Sequence, residues 1–554
     1  MTTIENHTDT GESWGVAGTG LESVADWVSS TDHKRIGRMF LFGATLAFLG
    51  TAVIGILLGI ERISPDLDFL NVNSQTQLFS LERFGFTYLV LVPAVLGIAL
   101  AIVPLQVGSR SLALARLASA GFWAWVLGAV LAVFSLVNNG GPGGGNARFV
   151  DLFTLSTALI LAGVLAGVVS LATTILTTRA PGMNMKRVPF FTWSVLVSSL
   201  GLLVALPVVI GDLLYVFVGH RYIDPASTIT NALAGNRRLA EYAGFGFTQP
   251  TTLLFVIPVL GLLADVVATA SGKRLQPRGG IFAGIALMLV AVFAAVVQWP
   301  VTIRSPFKDL SGSEKLNDVL PFLLVHGAPL LGCFLAFAFA GQALVKSRKI
   351  TAPVLFALLA SFLVLSSFVD SALLHISDAG LAGTTFEEGT WLAVVFAGVM
   401  AAMGGYTYWS PKWTGKALPA KSVLPLALVA FIGAELASLS LMIAGFADQP
   451  GAVFGSVVKN TDEAITKFHY SGPMGLWNTL NTVGIGLVAL TVLAFVALAV
   501  LSLRSTTVGD DPWDGQTLEW ATASPAPATN FADIHIVKSA EPLLDLKPSN
   551  RSDA

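Results

Sequence analysis

Long apolar runs alternate with short polar breaks along almost the whole chain. Twelve runs reach the roughly 20 residues needed to cross about 30 Å of hydrocarbon as a helix. They lie at about 39–60, 85–108, 117–137, 152–178, 189–219, 249–272, 279–303, 319–345, 350–374, 390–409, 422–447 and 473–503. None of the 32 Lys and Arg residues falls inside them. A lysine or arginine at the bilayer centre costs about 3 kcal/mol, so this exclusion is what a membrane selects for. The pattern predicts an all-α polytopic membrane protein with twelve transmembrane helices, in a membrane domain over 31–504. A polar, non-periodic segment, 1–30, precedes it and is expected to be mobile. Because polar sequence leads into the first run, that run is expected to stay as a span and not to be cleaved as a signal peptide. A Pro-, Ser- and Asp-rich tail, 505–554, is expected to lie extended on one face.

Composition narrows the classes further. Of 554 residues, 54% are hydrophobic and 12% charged, against about 25% charged in soluble proteins. A soluble enzyme and a disordered chain are excluded. A net charge of -2 leaves no basic footprint for nucleic acid. The single cysteine, Cys333, excludes a disulfide framework and a cysteine-held metal cluster.

Twelve spans put both termini on one side. The loops of that side are short and basic: Arg110 and Arg116; Arg179, Lys186 and Arg187; Lys273, Arg274 and Arg278; Lys346, Arg348 and Lys349; Lys412, Lys416 and Lys421. The positive-inside rule predicts that both termini are cytoplasmic. The run Gly140-Gly141-Pro142-Gly143-Gly144-Gly145 lacks the Gly-Lys-Ser/Thr ending of a phosphate loop and is read as a turn between spans.

Several segments together resemble one family. They are Ser30-Thr31-Asp32-His33-Lys34-Arg35-Ile36-Gly37, then Val103-Pro104-Leu105 and Gly108-Ser109-Arg110. Ala180-Pro181-Gly182-Met183 and Phe191-Thr192-Trp193-Ser194 follow, then Tyr408-Trp409-Ser410-Pro411-Lys412-Trp413-Thr414-Gly415. The last are Trp477-Asn478-Thr479-Leu480-Asn481 and Thr517-Leu518-Glu519-Trp520-Ala521-Thr522-Ala523-Ser524-Pro525. In order and spacing the chain resembles subunit I of the heme–copper oxidases, closest to the cytochrome c oxidases with a-type hemes. The resemblance covers about 28–545. It implies a twelve-helix bundle in a bacterial cytoplasmic membrane, beside subunit II- or III-like chains. In active members six histidines hold two hemes and a copper, oxygen is reduced to water, and protons are pumped.

Those histidines are missing. Leu78-Phe79-Ser80-Leu81-Glu82-Arg83 places Glu82 where the resemblance implies a low-spin heme ligand. Thr248-Gln249-Pro250-Thr251-Thr252-Leu253 loses the copper histidine, a relay glutamate and a crosslinked tyrosine together. The adjacent pair of the seventh helix becomes Gln298-Trp299, and the triplet of the tenth becomes Gly389-Thr390-Trp391. No histidine lies between His33 and His220, nor between His375 and His469. The arginines that would neutralise heme propionates read as Asp448-Gln449, where an acid facing them would repel, and a proton-channel aspartate reads as Ser111. No cofactor and no metal site is therefore expected. His33 belongs to the terminal signature, and His220 is expected at the surface.

Few ionisable groups remain inside the runs: Asp212, Asp265, Asp370, Glu435 and His326. Such groups mark functional candidates in membranes. Glu435, the most central, is either a proton-binding carboxylate or a neutral hydrogen-bonded one filling space. Asp265 and Asp370, near run ends, are expected to be wet. His326 is expected to be a hydrogen-bonded interior residue. Three functions follow as expectations: a non-catalytic subunit I paralogue acting as partner or scaffold, a working terminal oxidase, or a proton or solute path using Glu435 with Gln249 and Gln298. Bulky Trp299 and Trp391 at former ligand positions weigh against an open path.

Overall fold

A computed structural model describes residues 27, 29–64, 67, 69–142, 144–222, 251–293, 303, 319–347, 349–451, 472–531 and 536–546. Among them, eleven helices are long and apolar enough to cross a membrane, and one further apolar helix is shorter. In chain order they are α1 His33–Glu61, α2 Gln77–Gln106, α3 Ala115–Val137, α4 Ala147–Thr177, α5 Phe190–Tyr222 and α6 Thr251–Ser271. The shorter one, α7 Arg278–Ala291, precedes α8 Val319–Ser347, α9 Ala352–Leu374, α10 Thr385–Thr414, α11 Ala420–Phe446 and α12 Met474–Ser502. The predicted run at 279–303 continues beyond α7 into residues outside those described, as do Gln249, Gln298, Trp299 and most of the segment 1–30.

Sequence-adjacent helices pack on one another, and α12 closes the ring against α1. Three helices, spaced four apart in sequence, are interior. The apolar windows of α2, α6 and α10 are 94%, 89% and 89% buried, whereas those of the other spans run from 33% to 67%. All-round hydrophobicity is what an interior helix requires, and hydropathy alone does not separate it from a lipid-facing one.

Small residues set the closest helix approaches, as is usual where lipid tails are as apolar as side chains. Gly37 and Gly97 join α1 to α2, Gly121 and Gly163 join α3 to α4, Gly284 and Gly332 join α7 to α8, and Gly433 and Gly484 join α11 to α12. At each of these glycines a Cβ would come within 3.0 Å of its partner's carbonyl oxygen. The first half of α2 widens into a π-helical stretch, Gly85–Leu91, where Val92 N–H reaches Thr87 O. Pro93 follows and has no N–H to bond one turn back, which favours such a widened turn. The glycine run forms a minimal antiparallel ladder, Gly140–Gly141 against Gly144–Gly145, in keeping with the turn reading.

The tail is extended apart from short helical pieces at Leu518–Ala521 and Pro542–Leu546. It packs on the bundle face that carries the start of α1 and the ends of α2, α10 and α12, here called the tail face. Asn530 Oδ1 accepts from Lys34 Nζ at 2.9 Å and lies 3.0 Å from His33 Nε2, while Asn530 Nδ2 donates to Ser109 O. The other His33 nitrogen lies 3.0 Å from Leu100 O, so one buried imidazole ties α1, α2 and the tail together. The basic loops meet the same strap. Arg187 donates to Val537 O, Arg278 pairs with Glu541 at 2.9 Å, Arg274 pairs with Asp545, and Lys412 donates to Asp510 O and Thr522 O.

Candidate functional site

The resemblance directs attention to the stretch of α2 and α10 around Glu82 and Trp391. Protein side chains pack there. Trp391 on α10 is 1% exposed, and its indole N–H donates to Thr87 Oγ1 on α2 at 2.8 Å. Phe86 packs edge-on against Trp391 at 5.9 Å and against Phe396 at 5.8 Å, with Phe48 of α1 behind it. Glu82 is buried on α2 with its carboxylate over α1: a Cβ on Gly55 would lie 2.6 Å from Glu82 Oε1. Gly389 faces α11, where a Cβ would lie 2.5 Å from Ser438 O. Deeper in the described core, between α2, α4, α5 and α6 and between α2, α6 and α10, cavities of about 30 and 10 Å³ remain. The larger holds little more than a water.

Beyond Trp391, on the face opposite the tail, lies a buried ion pair. Arg62, the residue after α1, is 3% exposed and forks onto Glu388 of α10, with Nη1 to Oε1 and Nη2 to Oε2 both at 2.8 Å. Arg62 Nη2 also donates to Gly451 O, and Asn478 Nδ2 donates to Arg62 O. Gln449 Nε2 donates to Asn478 Oδ1 at 3.1 Å. Next to the pair, Arg83 bridges Glu387 at 3.4 Å and lies over the Trp391 ring at 5.6 Å. This corrects the expectation that Asp448 faces inward. Asp448 is exposed, with φ 61°, beyond the end of α11. Gln449 turns in instead, and the buried cation is Arg62, already matched by a protein carboxylate. Nothing in the hydrophobic pattern links Arg62 to Glu388; both are polar residues near span ends, far apart in sequence.

A heme with two axial imidazoles requires two nitrogen donors and a slot between them. Glu82 and Trp391 offer neither, so the described residues do not fit that group. Among the described residues there is also no group of three His, Cys, Asp or Glu side chains placed to hold a metal. The copper positions inferred from the sequence lie outside the described residues. The two remaining interior imidazoles do meet: the ring centroids of His326 on α8 and His375 after α9 lie 4.3 Å apart, with the planes tilted by 33°. His375 Nδ1 lies 2.6 Å from Ser371 O, and burial holds this imidazole below the ordinary histidine range. His220, as expected, sits near the surface, with Nδ1 2.6 Å from Asp151 Oδ1.

The other ionisable candidates divide. Asp265 is not wet, as the sequence suggested, but 4% exposed. It accepts from the backbone N–H groups of Phe190 and Phe191 at 2.9 and 3.1 Å, capping the start of α5, because the four opening N–H groups of a buried helix need acceptors. Gln106 Nε2 then bridges Asp265 Oδ2 at 2.9 Å and Glu519 Oε1 of the tail at 3.0 Å, and Thr192 donates to Gln106 Oε1. Glu519 is fully buried and also accepts from Trp409 Nε1 at 3.2 Å. Asp370 on α9 and Glu435 on α11 are both half-buried and close enough for their charges to interact, so Glu435 is less enclosed than its central position in the run implied. Asp212 is half-buried on α5.

Fold and site together define a polytopic helical membrane protein built on an oxidase-type bundle. Residues 35–486 match the family described as Cytochrome C and Quinol oxidase polypeptide I, and the chain belongs to that family, the heme–copper oxidase subunit I family. A Bacillus sp. strain PS3 chain named cytochrome c oxidase subunit 1 is 26% identical over 93% of this chain and 83% of its own length. The Bacillus subtilis chain of the same name is 24% identical over 94% and 82%. A Streptomyces avermitilis chain named as a cytochrome c oxidase subunit 1-beta is 28% identical over 96% and 94%.

Proposed function

We propose that this chain is a heme- and copper-free, non-catalytic paralogue of oxidase subunit I, serving as a partner or scaffold in a respiratory membrane complex beside subunit II- or III-like chains. The observation that carries this reading is Trp391. Its ring and its bond to Thr87 occupy core space next to Glu82, where the family resemblance implies imidazole-held heme, and the Arg62–Glu388 pair closes the region above. The retained tail signature and its docking residues support a conserved scaffold. The same reading places the tail face in the cytoplasm of a bacterial cell, by the positive-inside rule.

An optical spectrum with metal analysis on the purified chain tests it. The expected result is no Soret band and iron and copper far below one atom per chain. One heme or more per chain, or oxygen uptake by the purified complex, returns the protein to the working oxidases. A proton path through Glu435 gains little support from a half-exposed carboxyl and from the water-sized cavities around α6. Proton flux in proteoliposomes that falls on Glu435→Gln would revive it.

A further inference from the structure

An unassigned crevice of about 430 Å³ lies between α1, α2, α10 and α12, on the tail-face side of the core. Its walls are apolar, including Phe48, Ala94, Met403 and Phe495, and exposed Leu46 and Val500 stand at its opening toward the lipid. Polar groups gather at its tail-face end. Arg38 and Tyr406 line it there, and Arg504 follows the lining residue Leu503. Among the described residues Arg38 makes one hydrogen bond, Nε to Lys34 O, which leaves its terminal nitrogens available, and its guanidinium stacks 5.1 Å from Trp27 beside Arg35.

We infer that this crevice is a binding site for one anionic phospholipid of the tail-face leaflet, with an acyl chain in the apolar slot and the phosphate at Arg38. The dimensions suit such an occupant. Lining residues on α1 run from Arg38 to Leu49, about 16 Å of helix, half of a bilayer core of about 30 Å. The cleft reaches Val90 and Ala94 on the interior helix α2, as a slot does and a flat docking face does not. Basic pockets between spans at the cytoplasmic side are a recurrent form of anionic headgroup site. Arg38 supplies the fork that matches phosphate oxygens.

The test uses the full chain, washed in detergent and analysed by native mass spectrometry with lipid extraction, then returned to phosphatidylcholine nanodiscs with and without phosphatidylglycerol. One anionic phospholipid per chain is expected to survive washing, and phosphatidylglycerol is expected to raise the melting temperature. Arg38→Gln should reduce retained anionic lipid about fivefold. Ala402→Phe, which fills the slot, should remove lipid of any headgroup, while Arg110→Gln should change nothing. Equal retention in wild type and Arg38→Gln overturns the inference whether or not Ala402→Phe folds, and so does equal affinity for phosphatidylcholine. A photo-crosslinker at Leu46 that labels a protein instead of lipid also overturns it, in favour of a subunit contact.

Discussion

The two ends of the bundle have diverged to different degrees. At the tail face, residues of the signature segments are each held by hydrogen bonds: His33 to Asn530, Glu519 to Gln106 beside Asp265, Lys412 to the tail carbonyls. At the other end the same helices hold Trp391, Glu82 and the Arg62–Glu388 pair where the family resemblance implies cofactor ligands. On the proposed reading, architecture and chemistry are separable in this fold. Helix docking depends on glycine contacts and the terminal strap, so the interior positions could change without loss of the bundle.

The comparison can be broken from either end, and the largest effects are expected at the rebuilt one. Arg62→Ala leaves Glu388 buried without its partner and should cost about 3–5 kcal/mol, whereas Arg62→Met with Glu388→Leu should restore most of it. Denaturant unfolding in detergent measures both, and a single variant no worse than the double would contradict the buried-pair assignment. Trp391→Ala should cost a similar ~3–5 kcal/mol through cavity formation. If space for a porphyrin were still there, with Trp391 packed only loosely, the loss would be far smaller.

At the preserved end, His33→Ala removes contacts to both Leu100 O and Asn530 and should cost about 2 kcal/mol. The loss should appear first as faster proteolysis of the tail, before the spans respond. The smallest effect is a pH dependence. Burial pushes the Glu519 carboxyl above the ordinary glutamate range, while Gln106, Thr517 and Trp409 pull it back toward the charged form. A raised value in the docked state means that docking is strongest below about pH 4.3, where the free tail is protonated too, and weakens as pH rises toward the docked value. Tail cleavage should therefore accelerate over that interval, and Glu519→Gln should flatten the profile. A flat profile in the wild type would mean that Glu519 reaches water.

The spans and both terminal signatures were legible in the sequence, because membrane length and lysine exclusion leave strong one-dimensional marks. The scarcity of histidine was legible too, since a residue count needs no geometry. How the interior polar groups pair was not. Arg62 and Glu388 are near-terminal polar residues of separate helices, and only the bundle's closure brings them together. Asp265 read as a wet carboxylate because its position near a run end is the usual place for one. Its role as a helix cap depends on α5 starting beside it, a relation that periodicity does not encode. The crevice beside Arg38 was equally invisible, since a slot is made by what four helices leave unfilled.

The hydrogen bonds from Asn530 to the first helix carry a consequence for biosynthesis. Every span leaves the ribosome before residue 530 does, so the bundle must sit in the bilayer for a time with the start of α1 unfastened. That fastening is made by a stretch of chain synthesised after all of the spans. A message truncated just short of that asparagine would yield all the membrane helices without the ties from Asn530 to His33, Lys34 and Ser109, and membrane proteases that sample loose ends would have a direct means of singling out that product.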